Sequence, residues 1–138
     1  MKKEHDEFRD LIKKIEEASG ESKKSLFETL KMDVSAHHKA EESVLFPDVK
    51  KKSDEDGKDI VLEMVEEHHL GSYQMGLLER TSADNETWDA KFAVLKEVLT
   101  HHMDEEEKDL FKQAKKVLSN DELTAMYEPF EKKEEAAK

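Results

Sequence analysis

The sequence predicts an all-α fold: an antiparallel up-down-up-down four-helix bundle with a short C-terminal fifth helix. Apolar residues recur at intervals of three and four along the chain, and this is the period of a helix rather than a strand. Charged residues make up 42% of the 138 residues, whereas there are only four glycines and two prolines. Abundant Glu and Lys with few helix breakers favour helix over strand. Short connections between long amphipathic helices make neighbours antiparallel.

The first two predicted helices are separated by a Ser-Gly stop. The first helix is expected over about residues 2–18, because Ser19-Gly20 places a glycine where helices commonly end. Ser22 is the predicted N-cap of the second helix. Pro47 has no N–H to donate, so we expect it to close or kink this helix, with a lysine-rich connection behind it. The predicted inner residues are Phe8, Leu11, Ile12, Ile15, Leu26, Leu30, Val34 and Val44.

The third and fourth helices repeat this organisation. Ser53, followed by three acidic residues, is the predicted N-cap of the third helix, which is expected to run to about Arg80. Residues 81–85 form a polar connection, and the fourth helix continues from about Trp88 toward Leu118. Their predicted inner residues are Val61, Met64, Met75, Leu78, Trp88, Phe92, Leu95 and Leu99.

The C-terminal end is predicted to form a smaller element. Asn120 is the predicted cap of the short fifth helix, and residues 131–138 are expected to fray. We therefore divide the chain into a bundle, residues 1–118, and a C-terminal helix and tail, residues 119–138, that packs on the bundle or extends from it.

Composition excludes several classes of partner. The net charge of −12 repels phosphate backbones and favours cations, so we expect no nucleic-acid partner. The absence of cysteine excludes disulfides and thiolate metal sites. No apolar run approaches the roughly 20 residues of a membrane span, and the N-terminus has no apolar signal region. We expect a cytoplasmic protein with no membrane association.

The seven histidines carry the strongest functional signal. Six of them form adjacent pairs, and neighbours on a helix face about 100° apart. His37 continues the apolar stripe of Leu30 and Val34, whereas His38 shares a wet face with Lys31. The same arithmetic selects His68 over His69, and it selects His102 over His101 less decisively. His5 has no rival. Two glutamates lie one turn after a selected histidine, on the same side. The inward set is therefore His5, His37, Glu41, His68, His102 and Glu106.

Six buried polar groups need partners, because burying them unpaired costs several kcal/mol. A single His-x-x-x-Glu is usually a surface pair. Four inward histidines with two matched carboxylates instead favour two divalent or trivalent metal ions bridged by the glutamates. Imidazole with carboxylate suits iron, and less exclusively manganese or zinc. His38, His69 and His101 are predicted to be exposed or to lie outside the ligand set. The alternative is a structural bundle without metal.

The motifs resemble those of the hemerythrin-like HHE cation-binding domains. These motifs are EHDEF in the first helix, H-x-x-x-EE-x-x-LFP in the second, EEHH in the third and H-x-x-x-EE-x-x-LF in the fourth. The resemblance spans about residues 4–112. It implies a four-helix bundle around a non-haem di-iron centre with an oxo or hydroxo bridge. It also implies that the inward set of six residues supplies the ligands.

Two departures indicate the subtype. The oxygen-carrying hemerythrins have a second histidine on the third helix, where this chain has Ser72. They use an aspartate five residues after the fourth-helix histidine, where this chain has Glu106 at four and Glu107 at five. The pattern is closer to the iron-sensing hemerythrin domain of a ubiquitin ligase subunit and to the di-iron proteins that repair iron–sulfur clusters. The latter usually carry a cysteine-bearing N-terminal domain, which this sequence does not include. A specific repair assignment is therefore disfavoured.

The functional prediction is a non-haem di-iron protein that reacts with or senses dioxygen, nitric oxide or peroxide. Its expected partner is thus a small diatomic or peroxide ligand. The alternatives are an iron sensor or store without turnover and an iron–sulfur cluster repair protein. The sequence leaves open the oligomeric state and whether the protein is an enzyme. Tyr73 is predicted to lie either near the centre or on the surface.

Overall fold

Every regular element of the protein is helical, as the sequence predicts. The computed structural model describes residues 2–138 and contains no strand in that range. Within it, no helix is both long and apolar enough to cross a bilayer. The elements are α1 (Lys2–Glu17), α2 (Gly20–Ala40), a first π-helical turn (Glu41–Leu45), α3 (Phe46–Lys52), α4 (Glu55–Glu79), α5 (Trp88–Glu105), a second π-helical turn (Glu106–Leu110), α6 (Phe111–Val117) and α7 (Asn120–Ala137).

Two of the bundle helices are composite. α2, the first π-helical turn and α3 form one continuous helical segment, and so do α5, the second π-helical turn and α6. The bundle packs α1 on α2, α2 on α4, α4 on α5, and α5 back on α1. Contacts across neighbouring helices run in opposite directions, as expected for an antiparallel bundle. On α1 and α5 these pairs are His5–Glu106 and Glu16–Lys96, and on α2 and α4 they are Lys31–Glu79 and Glu42–His68.

The two π-helical turns occupy the same position in the two halves of the chain. Each begins at the glutamate of a His-x-x-x-Glu motif, and each is closed by the following phenylalanine. The N–H of Phe46 donates to the Glu41 carbonyl, and the N–H of Phe111 donates to the Glu106 carbonyl. The wider turn rotates the buried face by about one residue. Consequently Leu45 is fully buried, whereas Val44, predicted to be an inner residue, is only half-buried.

Pro47 was expected to close or kink the second bundle helix, and it does not close it. It lies in the first turn of α3, directly after the π-helical turn. The helix continues to Lys52, so the expected lysine-rich connection is helical.

The helix starts differ from the predicted caps. α2 begins at Gly20 rather than after Ser22, and Gly20 has a φ of 58°, which glycine adopts without steric cost. At the start of α4 the Asp54 carboxylate accepts a hydrogen bond from the Gly57 N–H. Ser53, the predicted cap, instead donates its hydroxyl to a carbonyl of α3.

α7 is longer than the predicted fifth helix. Ser119 and Glu122 form a reciprocal capping box, so the cap is Ser119 rather than Asn120. The helix runs to Ala137, and the fraying expected for residues 131–138 is not seen. α7 packs against α2 and the first π-helical turn.

The apolar core is divided in two. Along α2 and α4, one cluster lies on one side of the inward histidine and the second lies on the other side, whereas on α5 the first cluster extends to Met103, next to His102. A polar layer therefore crosses the middle of the bundle between two apolar clusters. The first cluster contains Phe8, Ile12, Ile15, Phe27, Leu30, Val34, Met75, Leu78, Trp88, Phe92, Leu95, Leu99 and Met103. The second contains Leu45, Phe46, Val49, Val61, Met64, Leu110, Ala114 and Leu118.

Candidate metal centre

The six residues predicted to face inward meet in this polar layer. None of them is more than 3% exposed. Each of the four bundle helices contributes one histidine, and each π-helical turn contributes one glutamate. The predicted inward orientation is therefore confirmed, and the role of these residues as metal ligands stays a prediction. The six are His5 on α1, His37 on α2, Glu41, His68 on α4, His102 on α5 and Glu106.

The two glutamates lie between histidines from different helices. The Oε1 of Glu41 is 3.3 Å from Nε2 of His68, and its Oε2 is 3.5 Å from Nε2 of His37. In the same way, Oε1 of Glu106 is 3.1 Å from Nε2 of His5, and its Oε2 is 3.1 Å from Nε2 of His102. Each carboxylate thus places its two oxygens beside histidines of two different helices, as a carboxylate that bridges two metal ions would.

The outer nitrogen of each inward histidine meets a carboxylate. A carboxylate only accepts, so Nδ1 carries the proton and Nε2 is left to face the centre. Carboxylates in this position fix the ring orientation of metal-binding histidines and raise their basicity. The distances from Nδ1 are 2.9 Å from His5 to Glu107, 3.1 Å from His37 to Glu4, 2.8 Å from His68 to Glu42 and 2.7 Å from His102 to Glu67.

These four hydrogen bonds form a closed ring around the bundle. Each carboxylate is the sequence neighbour of an inward residue on one helix, and it orients the histidine of the next helix. Glu4 of α1 reaches α2, Glu42 reaches α4, Glu67 reaches α5, and Glu107 returns to α1. Glu107, the residue at the aspartate position of the oxygen carriers, is therefore used outside the centre.

Five donor atoms in the centre have no hydrogen-bond partner. They are Nε2 of His37 and both carboxylate oxygens of Glu41 and Glu106. Buried carboxylate oxygens are costly when unpaired, and native proteins rarely leave them so. Their lone pairs converge with those of the imidazoles, so the donor set fits a bound cation. The chemistry is that of an imidazole and carboxylate site, which suits iron.

His38 also belongs to this layer, and its predicted place on a wet face is wrong. It is only 9% exposed. Its ligand atom lies within 4.8 Å of ligand atoms of Glu41, His68 and His102. Selecting residues at steps of three and four assumes that a helix buries a single line of residues. A bundle helix instead buries an arc of 100° or more against two neighbours. His37 faces α1 and His38 faces α4, so both are buried.

A second group shares Glu41 with the first. Ligand atoms of His5, His37, Glu41 and Glu106 also lie within 4.8 Å of one another. The centre thus contains two adjacent clusters of possible ligands joined by a carboxylate. Among the described residues of these two clusters, His38 alone was not predicted.

Three further residues discussed above, His69, His101 and Tyr73, lie outside the metal centre. His69 and His101 have side chains that are 67% and 66% exposed, and they pair with Glu66 and Glu105 respectively. Tyr73 is 66% exposed and lies on the surface rather than near the centre.

In the metal-free protein, protons on the inward histidines balance the negative charges of the neighbouring carboxylates. Burial alone would lower the pKa of His102, but the carboxylates of Glu106 and Glu67 beside its two ring nitrogens raise that pKa to about 10. The pKa of His68 is also raised, by Glu41 and Glu42, against the effect of burial. Burial and the neighbouring imidazole of His68 instead hold the pKa of His38 well below its ordinary value, so His38 is neutral.

A helical bundle with buried, paired clusters of imidazole and carboxylate ligands defines a class of metal-binding protein. Comparison with protein families agrees, since residues 1–114 match the family described as the hemerythrin HHE cation binding domain. The chain belongs to this family, whose members bind cations. Searches among curated proteins and among solved structures found no match.

Proposed function

We propose that the chain binds two iron ions in this centre and that it reacts with or senses small oxidants: dioxygen, nitric oxide or peroxide. One observation carries the proposal. Glu41 and Glu106 are fully buried, their four oxygens have no hydrogen-bond partner, and each carboxylate faces histidines from both halves of the centre. Two cations bridged by these carboxylates would compensate four buried oxygens that otherwise face only the Nε2 atoms of the surrounding histidines.

The histidines divide unequally between the two ions. We assign His38, His68 and His102 to one ion and His5 and His37 to the other, with both glutamates between them. The ion held by two histidines then has fewer protein ligands. An exogenous ligand is therefore expected to bind on that side.

The space beside this side of the centre is small. A cavity of about 10 Å³ lies against His5, His37 and His38, and its other walls are apolar. This volume is near the minimum that holds one water-sized molecule. Organic substrates are far too large for it, so the cavity restricts an exogenous ligand to a molecule of very few atoms. The apolar lining disfavours water and favours an uncharged gas. The apolar walls are Phe8, Val34, Leu99 and Met103.

Iron bound here would supply redox electrons and an open coordination position. The remaining functions belong to the protein. Glu41 and Glu106 hold the two ions together, and the ring of outer carboxylates holds the imidazoles with Nε2 toward the centre. The apolar clusters on both sides limit the access of water. Manganese or zinc would fit the same donors, although zinc would carry no redox chemistry.

A second candidate function is an iron sensor without turnover. It is favoured by the unpartnered buried carboxylates, because a centre that depends on cations couples the stability of the bundle to metal occupancy. A sensor of this kind would use loss of metal as its signal. An iron store would use the same coupling. The chain has no cysteine, so the repair of iron–sulfur clusters has no thiol donor within it.

The functions are separated by one pair of measurements on the same preparation. Protein reconstituted anaerobically with ferrous iron is mixed with dioxygen, nitric oxide or hydrogen peroxide, and consumption is followed by stopped-flow absorbance. Thermal unfolding is then measured with and without a chelator. Rapid consumption supports the redox function. A large chelator-dependent fall in melting temperature without consumption supports the sensor. If neither effect occurs, both candidates are wrong.

A further inference from the structure

The C-terminal helix reaches the metal centre although it lies outside the residues that match the family. The match ends at residue 114, whereas α7 spans Asn120–Ala137. α7 packs on α2, the helix that carries His37. Phe130 and Glu134 point from α7 into this interface and are only 7% and 8% exposed.

Both residues contact His37. The ring of Phe130 lies edge-on to the imidazole, with centroids 5.5 Å apart and an interplanar angle of 69°. The Oε2 of Glu134 is 3.5 Å from Nδ1 of His37, and the Oε2 of Glu4 is 3.1 Å from the same nitrogen. His37 thus has two outer carboxylates.

The other three inward histidines differ in this respect. In the part of the chain that the structure describes, each has a single carboxylate within 4 Å of Nδ1. These pairs are His5–Glu107, His68–Glu42 and His102–Glu67. Glu134 is thus a fifth outer carboxylate, in addition to the four that surround the bundle. It makes His37 different from the other three inward histidines.

α7 is attached to the bundle at several points besides these two contacts. Its start is held by the capping box and by an ion pair between Lys52 and Glu122. Leu123 and Met126 pack on the second apolar cluster. At its end, Lys138 is 3.8 Å from Asp33 of α2. The helix is therefore held in place by groups that do not touch the centre, so Glu134 and Phe130 are presented to His37 by a fixed support.

We propose that Glu134 and Phe130 are positioning residues for His37. In this way α7 sets the metal affinity of one of the two positions without affecting the other. The inference rests on the proposed function, in which His37 and His5 hold one of two ions. Phe130 limits rotation of the imidazole, and the Glu134 carboxylate lies 3.5 Å from its outer nitrogen, beside the Glu4 carboxylate that accepts its N–H. Both keep Nε2 directed at the centre. Outer partners of this kind change metal affinity by about 10- to 100-fold when they are removed.

The test compares variants of the full chain. Glu134→Leu removes the carboxylate at similar size, and Glu134→Gln keeps a side-chain oxygen in the same place. Glu128→Leu is the matched control, because the Glu128 side chain lies on the same helix and is 77% exposed. Each protein is loaded with ⁵⁷Fe and titrated with a competing chelator, and Mössbauer spectra are recorded at each step.

We expect Glu134→Leu to release one of the two ions at about 10- to 100-fold lower chelator concentration and to shift the signal of that ion alone. Glu134→Gln should recover most of the loss, and Glu128→Leu should match the unmodified chain. Identical titrations for Glu134→Leu and Glu128→Leu would overturn the inference, as would equal weakening of both ions.

A second variant protects the test against misfolding. If Glu134→Leu does not fold, Phe130→Leu, which keeps an apolar side chain, replaces it and should shift the same single signal. An unshifted spectrum in Phe130→Leu would then overturn the inference. If the unmodified chain takes up no iron, the proposed function fails and this inference fails with it. If the chain binds two ions that ignore α7, only this inference fails.

Discussion

His38 lies flat against His68, with ring centroids 3.7 Å apart and ring planes 8° from parallel. The stack joins α2 to α4 at the level of Glu41. Burial beside His68 keeps the pKa of His38 low, so its imidazole is neutral and has a free lone pair. The oxygen carriers have a second histidine on their third helix, and this chain has Ser72 at that position. His38 offers the centre a fifth imidazole from the neighbouring helix instead.

We expect His38→Ala to weaken metal binding, although the sequence alone placed this residue outside the ligand set. Loss of one of three histidines on an ion should lower its occupancy and leave the other ion in place. The measurement is the iron content per chain after dialysis against a weak chelator. His69→Ala is the control, because its side chain is 67% exposed. Equal iron retention in both variants would show that His38 is not a ligand.

Replacing Glu41 with Gln should weaken the coupling between the two ions without unfolding the bundle. An amide oxygen still binds one ion, but the neutral group bridges two cations poorly. Magnetic susceptibility and Mössbauer spectra of the loaded protein report this coupling. Glu28→Gln, an exposed position on the same helix, is the control. An unchanged two-metal spectrum in Glu41→Gln contradicts the bridging role.

The stabilisation by metal should increase with pH. The pKa of His102 is raised from 6.5 to about 10 in the metal-free fold. Its proton therefore stabilises the metal-free protein fully below pH 6.5, and this contribution is lost as pH rises toward 10. In the loaded protein the metal replaces that proton. The difference in melting temperature between loaded and metal-free protein should therefore grow between pH 6.5 and 10. A constant or shrinking difference would be inconsistent with proton displacement at His102.

Two glycines of α4 should respond in opposite directions to alanine. A Cβ at Gly57 would overlap Nε2 of Gln113 and lie 2.5 Å from Cβ of Ser53, so the packing must shift. We expect Gly57→Ala to destabilise the fold by about 1–3 kcal/mol. A Cβ at Gly76 would meet its nearest neighbour, Nη1 of Arg80, at 3.5 Å. Gly76→Ala should stabilise by about 0.5–1 kcal/mol through helix propensity. Urea unfolding measures both, and a stabilising Gly57→Ala would refute the close packing.

Helical periodicity was sufficient to predict the fold and the six inward residues. The stripe of Leu30, Val34, His37 and Glu41 is continuous, and such stripes report burial directly. The π-helical turns could not be predicted in this way, because they change the period after Glu41 and place Leu45 rather than Val44 inside.

The outer carboxylates were also beyond a one-helix pattern. Glu42 follows Glu41 in sequence but orients His68 of another helix, so its role depends on the packing of α2 against α4. The available signal in the sequence was that each outer carboxylate directly precedes or follows an inward residue. Glu134 had no such signal, because only the docking of α7 brings it to His37.

Metal content tests the central claim most directly. The chain is isolated rapidly from iron-replete cells without chelators, and iron, manganese and zinc are measured per chain by mass spectrometry. We expect two ions per folded chain, predominantly iron, and we expect Glu41→Ala/Glu106→Ala to lose both the ions and the stability that they add to the bundle. Freshly isolated protein that is fully folded, equally stable with and without chelator, and free of metal would contradict it.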